Sequence, residues 1–419
     1  MTYTQWLTLL VFPIGVLYCS KEEKVGPTEI DTQGVIVHKE PVWRLATTRG
    51  NDELNYTIVR QNVMYDGAVI IPIDSGKKPS IAMVSARDGS MLWQWSDLLD
   101  VDKDFLSLDN SYQWGSKLIF PLGTRLYGVD LVSGHTLFRL TTEDTFNRIT
   151  GIGNRYFLSS VVESAGPRYY GAVYSGTFDR GNYEPLLIPP YSDTSRAVWL
   201  GQVGPVIPYL SESGNQMLSF YYDDVGEDYS TIYRALYNYS QRETVYDDKV
   251  SIPTTDFGAN GQHLVHGNIG VMGLAKKLIA FELTCGELLW EQEFTNTFTF
   301  SGYIATDGMI LANNEDTYLY AFDASNGELR WKVKSSGTSS KMEVLNGIVY
   351  FVGGGDGLLH AVEVATGEHL WRLKSPDLDL HPGAFFMPRV SVVPGTDINS
   401  KGRIIVSSYL SAVAYEAIR

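Results

Sequence analysis

Four clusters of side chains have the types and spacing that chemistry would need. Asp100, Asp102 and Asp104 alternate as the opening of a calcium loop does. Such a loop needs Gly at its sixth position and Glu at its twelfth, and here those are Phe105 and Ser111, so a solvated loop between strands is expected. Asp223–Asp228 is a second acidic cluster, set between Tyr221-Tyr222 and Tyr229, and reads as a hairpin tip with weak Ca²⁺ binding as the lesser option. His263 and His266 are three residues apart. On a strand that spacing puts them on opposite faces, so they cannot share one metal, and His263 is expected to line a central channel without a catalytic role. Gly353–Gly357 is glycine-rich, but it precedes a strand pattern and therefore lacks the helix N-terminus of a phosphate cradle. No Gly-x-Ser-x-Gly, His-Glu-x-x-His or P-loop motif occurs. The expectation is no catalytic residue, no cofactor and no metal ligand.

The elements that would have to position such groups are strands. Aromatic residues make up 12% of the 419-residue chain, and 26 Tyr with 40 Gly favour strands and tight turns over helices. The formal charge of −15 argues against nucleic acid, whose phosphates are bound through Lys and Arg, and against adsorption on an anionic membrane.

Residues 1–18 carry no charged side chain, and the apolar run from Trp6 to Tyr18 is too short to span a bilayer but suits a signal-peptide core. Cys19 follows, then Ser20-Lys21-Glu22-Glu23-Lys24. Apolar run, cysteine and polar tail resemble a bacterial lipoprotein signal with Cys19 as the acylated residue. The n-region lacks Lys and Arg, and Tyr18 stands where such signals carry a small residue. The division is residues 1–18 as signal peptide, 19–35 as lipidated cysteine and flexible tether, and 36–419 as the folded body. Cys285 is the only other cysteine, so acylation of Cys19 would leave no disulfide and packing would have to carry stability.

The body is a repeat. Ala280…Gly286…Trp290, Ala321…Gly327…Trp331 and Ala361…Gly367…Trp371 share one pattern, with an acid two residues after the Ala. The Ala anchors lie 41 and 40 residues apart, the spacing of a repeated sheet. A small residue lets sheets approach, Gly supplies a positive φ between strands, and Trp buries a large area across a seam. Met83…Gly89…Trp93 and Gly128…Gly134…Phe138 are weaker copies, and degenerate ones sit around Ala172 and Ala235. An eighth unit, formed by residues 390–393, 403–407 and 410–415, lacks its Trp-bearing strand. Pro41-Val42-Trp43-Arg44-Leu45-Ala46 matches that strand, which predicts that the N-terminal segment completes the last sheet and closes the ring.

The repeat resembles the A-x-D-x-x-T-G-x-x-x-W docking motif of the quinoprotein-type (PQQ-like) β-propeller family. The resemblance is close over residues 280–371 and looser over about 36–419. It implies an all-β, eight-bladed propeller with four-stranded antiparallel blades and structural docking roles for Trp43, Trp93, Phe138, Trp290, Trp331 and Trp371. The overall layout is similar to the BamB-like lipoprotein branch of that family. Its enzymatic branch resembles longer chains with a vicinal Cys–Cys pair, which this sequence lacks.

The expected function is a non-catalytic, lipid-anchored module that binds or scaffolds proteins at the bacterial outer membrane, possessing no nucleic-acid site. The longest gap between anchors, 63 residues from Ala172 to Ala235, implies extra loop length. Tyr191–Gln202 and Asp223–Asp228 are therefore the candidate partner surface. The alternatives are a carbohydrate-binding or sensor module that takes a glycan, and a quinone-dependent dehydrogenase.

Overall fold

The computed structural model describes residues 28–30, 34–47, 62–74, 79–99, 108, 110–163, 168–179, 181–189, 199–226, 229–252, 259–274, 276–296, 302–337, 341–396 and 400–419. Among them there are strands and turns but no helix. The strands form eight four-stranded antiparallel blades in a ring, as the repeat predicts. Blades 1 and 2 cover 64–95 and 112–141, blades 3 and 4 cover 145–187 and 199–252, and blades 5 to 7 cover 259–293, 303–334 and 343–373. Blade 8 combines Val390–Val393, Arg403–Ser407 and Ser411–Glu416 with the N-terminal strand Trp43–Ala46. Trp43 pairs with Ala414 in that sheet, so the ring closes by pairing the two ends of the body.

Each blade runs from an inner first strand to an outer fourth one, and this order defines two faces. On the lower face lie the turns joining strands one and two and the Gly turns joining strands three and four; Ala324 N donates to Gly308 O across this face of blade 6. The turns joining strands two and three lie on the upper face.

The pairing registers correct two anchors. Ala280, Ala321 and Ala361 pair with Trp290, Trp331 and Trp371. The same position in blades 3 and 4 is held by Val173, paired with Leu187, and Leu236, paired with Tyr246. The small-residue anchors expected at Ala172 and Ala235 are each one residue early, because these blades carry a larger side chain at the position that the motif reserves for Ala.

The segment expected to be a tether as far as residue 35 is more firmly placed at its end. Thr28–Ile30 pairs in parallel with the outer strand Leu329–Lys334 of blade 6, and Ile36–Val37 pairs in parallel with the outer strand His369–Leu373 of blade 7. Arg372 adds a bond from its Nε to Gly34 O of 2.8 Å. The cause is the open edge of an outer strand, whose unpaired backbone groups accept a further strand.

Candidate functional site: ring seams and upper face

The seams hold the ring together, and five of the blade-to-blade seams have an aromatic side chain under the next blade's Gly turn and a sixth has Tyr246. A Cβ at Gly89 would lie 2.8 Å from the Trp43 ring, at Gly134 2.6 Å from Trp93, at Gly181 2.9 Å from Phe138, at Gly327 2.7 Å from Trp290 and at Gly367 2.5 Å from Trp331. Tyr246 approaches Gly286 in the same way at 3.0 Å. Only glycine fits, because these turns combine ring contact with a positive φ, from +59° at Gly181 to +76° at Gly286. The four indoles also donate Nε1–H to a carbonyl of the next blade: Trp43 to Ala86, Trp93 to Leu131 and Trp290 to Ala324, each at 2.9 Å, and Trp331 to Val364 at 3.0 Å.

Two seams depart from this. Blade 3 offers Leu187 in place of an aromatic, and there the upper ends of blades 3 and 4 are joined by hydrogen bonds instead. Arg168 and Tyr169 pair in parallel with Trp199 and Leu200, and Leu200–Val203 pairs antiparallel with Tyr222–Val225. The other exception is Trp371, whose buried Nε1 has no hydrogen-bond partner. Blade 8 takes its fourth strand from the N-terminal segment, so no Gly turn connects Glu416 to Trp43, and Lys39 Nζ stands 4.5 Å from the Trp371 ring centroid. This difference is measurable. Trp331→Phe should cost about 1–2 kcal/mol more than Trp371→Phe, since it removes a made bond and leaves a buried acceptor unmet. Equal losses in urea midpoints would contradict the assignment.

The residues between Ala172 and Ala235 that give the long gap build the bridging sheet. The hairpin Gln216–Gly226 with Tyr229–Asn238 is ten pairs long, and Glu243–Ile252 follows it to the same height. Trp199–Val203 fills the space between the blades. Of the candidate partner segment Tyr191–Gln202, residues 191–198 lie outside the described residues; Gln202 is exposed, and its N–H donates to Asp223 Oδ1 at 3.0 Å. Of the acidic tip, Asp223–Gly226 is strand and residues 227–228 lie outside the described residues. Tyr222 and Tyr233 stack with centroids 4.7 Å apart, and the Tyr222 hydroxyl donates to both oxygens of Asp247 at 2.7 Å. This sheet is thus stiffened from beneath by aromatic stacking and an acid.

The remaining candidates separate. Asp100, Asp102 and Asp104 lie outside the described residues, as does Cys19. Cys285 is exposed in the lower turn of blade 5. His263 does lie on the innermost strand of blade 5, but it is buried in the seam with blade 4 rather than lining the channel. Its Nε2 is 3.1 Å from Ser219 Oγ and its ring stacks on Tyr221, and burial pushes its pKa down to about 3. Gly353–Gly357 is a turn, as expected, and Asp356 within it accepts from Ser336 Oγ, Leu358 N and His360 Nε2. His360 Nδ1 in turn meets His369 Nε2 at 3.1 Å. Among the described residues, no three His, Cys, Asp or Glu side chains are grouped so as to hold a metal ion.

Sequence reading missed a buried charged pair between the inner strands of blades 7 and 8. Glu343 on the inner strand of blade 7 and Arg389 before that of blade 8 attract one another, and burial dominates both: it pushes Glu343 up to about 7 and holds Arg389 down at about 9. Arg389 Nη2 donates to Ser391 Oγ at 3.0 Å, while Asn62 Nδ2 donates to Val392 O at 3.2 Å beside it. No local motif marks these residues; only their places before or in inner strands could have. A carboxyl whose folded pKa is raised stabilises the fold fully below its unfolded value and less as pH rises through the folded value. Wild-type stability should therefore carry a falling component between about pH 4.5 and 7. Glu343→Gln should lack it, which chemical denaturation across that range would show. His263 and His369, both depressed to about 3 by burial, act oppositely, losing stability as pH falls below 6.5, and remain in both proteins.

Comparison with known proteins agrees with this ring. Residues 253–408 match the family described as Outer membrane protein assembly factor BamB. The curated relative of that name from Moranella endobia (strain PCIT) is 27% identical over 165 residues, 38% of this chain and 39% of the relative. The match thus spans about two-fifths of that relative's length. Among solved structures, the quinohemoprotein alcohol dehydrogenase of Comamonas testosteroni is 11% identical with a TM-score of 0.59, covering 90% of this chain and 76% of that one. Saccharomyces cerevisiae Sqt1 is 9% identical with a TM-score of 0.60, covering 89% and 99%. At such identities the likeness concerns the fold alone. The matched segment contains the three clearest repeats, Ala280 to Trp371, and the chain is accordingly similar to the PQQ-like β-propeller family from which that motif was read.

Proposed function

We propose that this chain is a non-catalytic, lipid-anchored scaffold that binds protein partners at the bacterial outer membrane, in the assembly of outer-membrane proteins. The observation that carries the reading is the bridging sheet of blades 3 and 4. It gives one face of the ring a continuous surface of paired strands, where the other described seams are joined by side-chain packing and side-chain hydrogen bonds. Loops and strand ends displayed on a rigid ring are where propellers place recognition. The matching family's name supplies the assembly context. A pull-down from native membranes with wild type and with Gln202→Lys/Thr231→Lys tests it, Thr231 being paired with Asp224, which in turn pairs with Gly201 of the bridging strand. The double variant should remain folded and lose a stoichiometric outer-membrane partner; retention of that partner, or dye-linked alcohol oxidation dependent on quinone and Ca²⁺, would contradict the reading.

Cys19 is the proposed anchor. A single acyl chain holds a protein only marginally, whereas several hold it stably. Cys19→Ser should move the folded protein from the membrane to the soluble fraction and abolish palmitate labelling. A wild type that is unlabelled and soluble would remove the anchor from the account.

A further inference from the structure

Blades 6 and 7 each carry a fifth strand on their outer edge, and blade 5 presents the same kind of edge. We propose that the outer edge of blade 5, Leu288–Glu293, takes up an extended segment of a partner protein, running parallel to it, with a lysine or arginine of that segment opposite Glu291. This contact is separate from the bridging sheet of blades 3 and 4.

The precedent lies in the chain's own N-terminal segment. Thr28–Ile30 adds in parallel to Leu329–Lys334 of blade 6, and Ile36–Val37 adds in parallel to His369–Leu373 of blade 7. In both, the residue after the docking Trp meets the added strand: Lys332 lies opposite Glu29, and Arg372 opposite Ile36. The Arg372 N–H points outward and donates to Val35 O at 2.9 Å. Glu291 holds this position on blade 5, because it pairs with Ile279 as Lys332 pairs with Tyr320 and Arg372 with His360. Its N–H therefore points outward too, and among the described residues no strand pairs with that edge. Outward backbone groups on an edge strand are a template for a further strand.

Side chains single out blade 5 and define its occupant. On blade 7 the two residues before the Trp are His369, buried with Gly34 against it, and Leu370, half-buried. On blade 5 the same two places hold Leu288 and Leu289, which are 53% and 43% exposed. An added strand would cover this apolar surface. Charge sets the sign of the partner. On blade 6 a basic residue, Lys332, faces an acidic one, Glu29. On blade 5 the sign is reversed. Glu291 remains half-exposed although Lys277 Nζ meets it at 3.1 Å, and Glu287 and Glu293 are exposed along the same strand, which has no Lys or Arg. A basic residue opposite Glu291 is therefore favoured and an acidic one opposed. Blade 1 exposes Met91 and Leu92 in the corresponding places, but uncharged Gln94 follows its Trp, so that edge selects no charge.

Tethered peptides test this on the full-length chain carrying Cys19→Ser. Cys285 is exposed in the lower turn from which the outer strand of blade 5 departs, and it serves as the handle. It is joined by disulfide exchange to peptides that begin Cys-Gly-Ser and continue Thr-Lys-Ile-Thr or Thr-Glu-Ile-Thr. Linkage through the N-terminal cysteine lets a peptide run parallel to the strand, and the same peptides with cysteine at the C-terminus run the other way. The N-terminally linked Lys peptide should be retained against competing thiol about threefold better than the Glu peptide or its own reversed form. It should also slow hydrogen exchange of the Glu291 amide. Glu291→Lys should remove the preference for the Lys peptide. Glu291→Pro, which deletes an N–H that the blade itself does not use, should remove the advantage of parallel linkage. Equal retention of all peptides, a Lys preference that survives Glu291→Lys, or an unslowed Glu291 amide overturns the proposal. So does an amide already slow in the free protein, which gives the edge to a segment of this chain, or one that slows with protein concentration, which gives it to a second copy.

Discussion

Trp331→Ala is expected to lower stability by about 3–5 kcal/mol, the range for a fully buried aromatic cut back to Ala. The side chain is 2% exposed and packs against Val349, Phe351, Val362 and Val364 of blade 7 as well as Leu311, Leu319 and Ala321 of its own blade. Its loss opens a cavity in a seam, removes the bond to Val364 O and strips the contact that Gly367 was shaped to receive. Trp93, which is only partly buried, should cost less when truncated. Guanidinium denaturation of both variants checks this, and a Trp331→Ala midpoint within error of wild type would remove docking from the account of the ring.

Asp377→Ala is expected to loosen the ring at its closure, by about 2–3 kcal/mol. The carboxylate is 1% exposed on its side chain and lies in the link between blades 7 and 8. It accepts from Arg44 of the closing strand, from Ser408, and from Ser411 at 2.7 Å. Breaking a fully buried pair costs about 3–5 kcal/mol, but the Arg44 side chain is 40% exposed and water can partly replace its partner. The two serine hydroxyls are buried and would lose their acceptor. Hydrogen exchange should therefore rise in Trp43–Ala46 and Ser411–Glu416 while blade 5 stays protected. Equal exchange throughout would mean that Asp377 does not clasp the ring.

Much of this fold was legible because the docking motif is short and local. Gly at a positive φ and Trp four residues later specify a turn and a seam from a few adjacent positions, which is why residues 280–371 identify three blades and Pro41–Ala46 identifies the closing strand. Blades 3 and 4 were placed one residue out at their anchors. There Val173 and Leu236 occupy the small-residue position, and Leu187 and Tyr246 the Trp position, so the motif's chemistry is absent while its register persists. The strands Thr28–Ile30 and Ile36–Val37 were not foreseen, since pairing to an open edge uses backbone groups and leaves no side-chain pattern. His263 could be assigned to an inner strand but not to a seam, because burial there depends on Tyr221 and Ser219 of the neighbouring blade. The Glu343–Arg389 pair was invisible for the same reason, its partners lying in different blades.

The upper sheet as a protein-binding surface is the central claim, and site-specific photo-crosslinking in native membranes tests it most directly. A photoreactive residue at Gln202 on the bridging sheet is compared with one at Asn215 in the lower turn of blade 4. The account predicts a discrete adduct with an outer-membrane protein from position 202 and none from 215. An adduct from 215 alone, or from neither position while the protein is present in the membrane fraction, would contradict it.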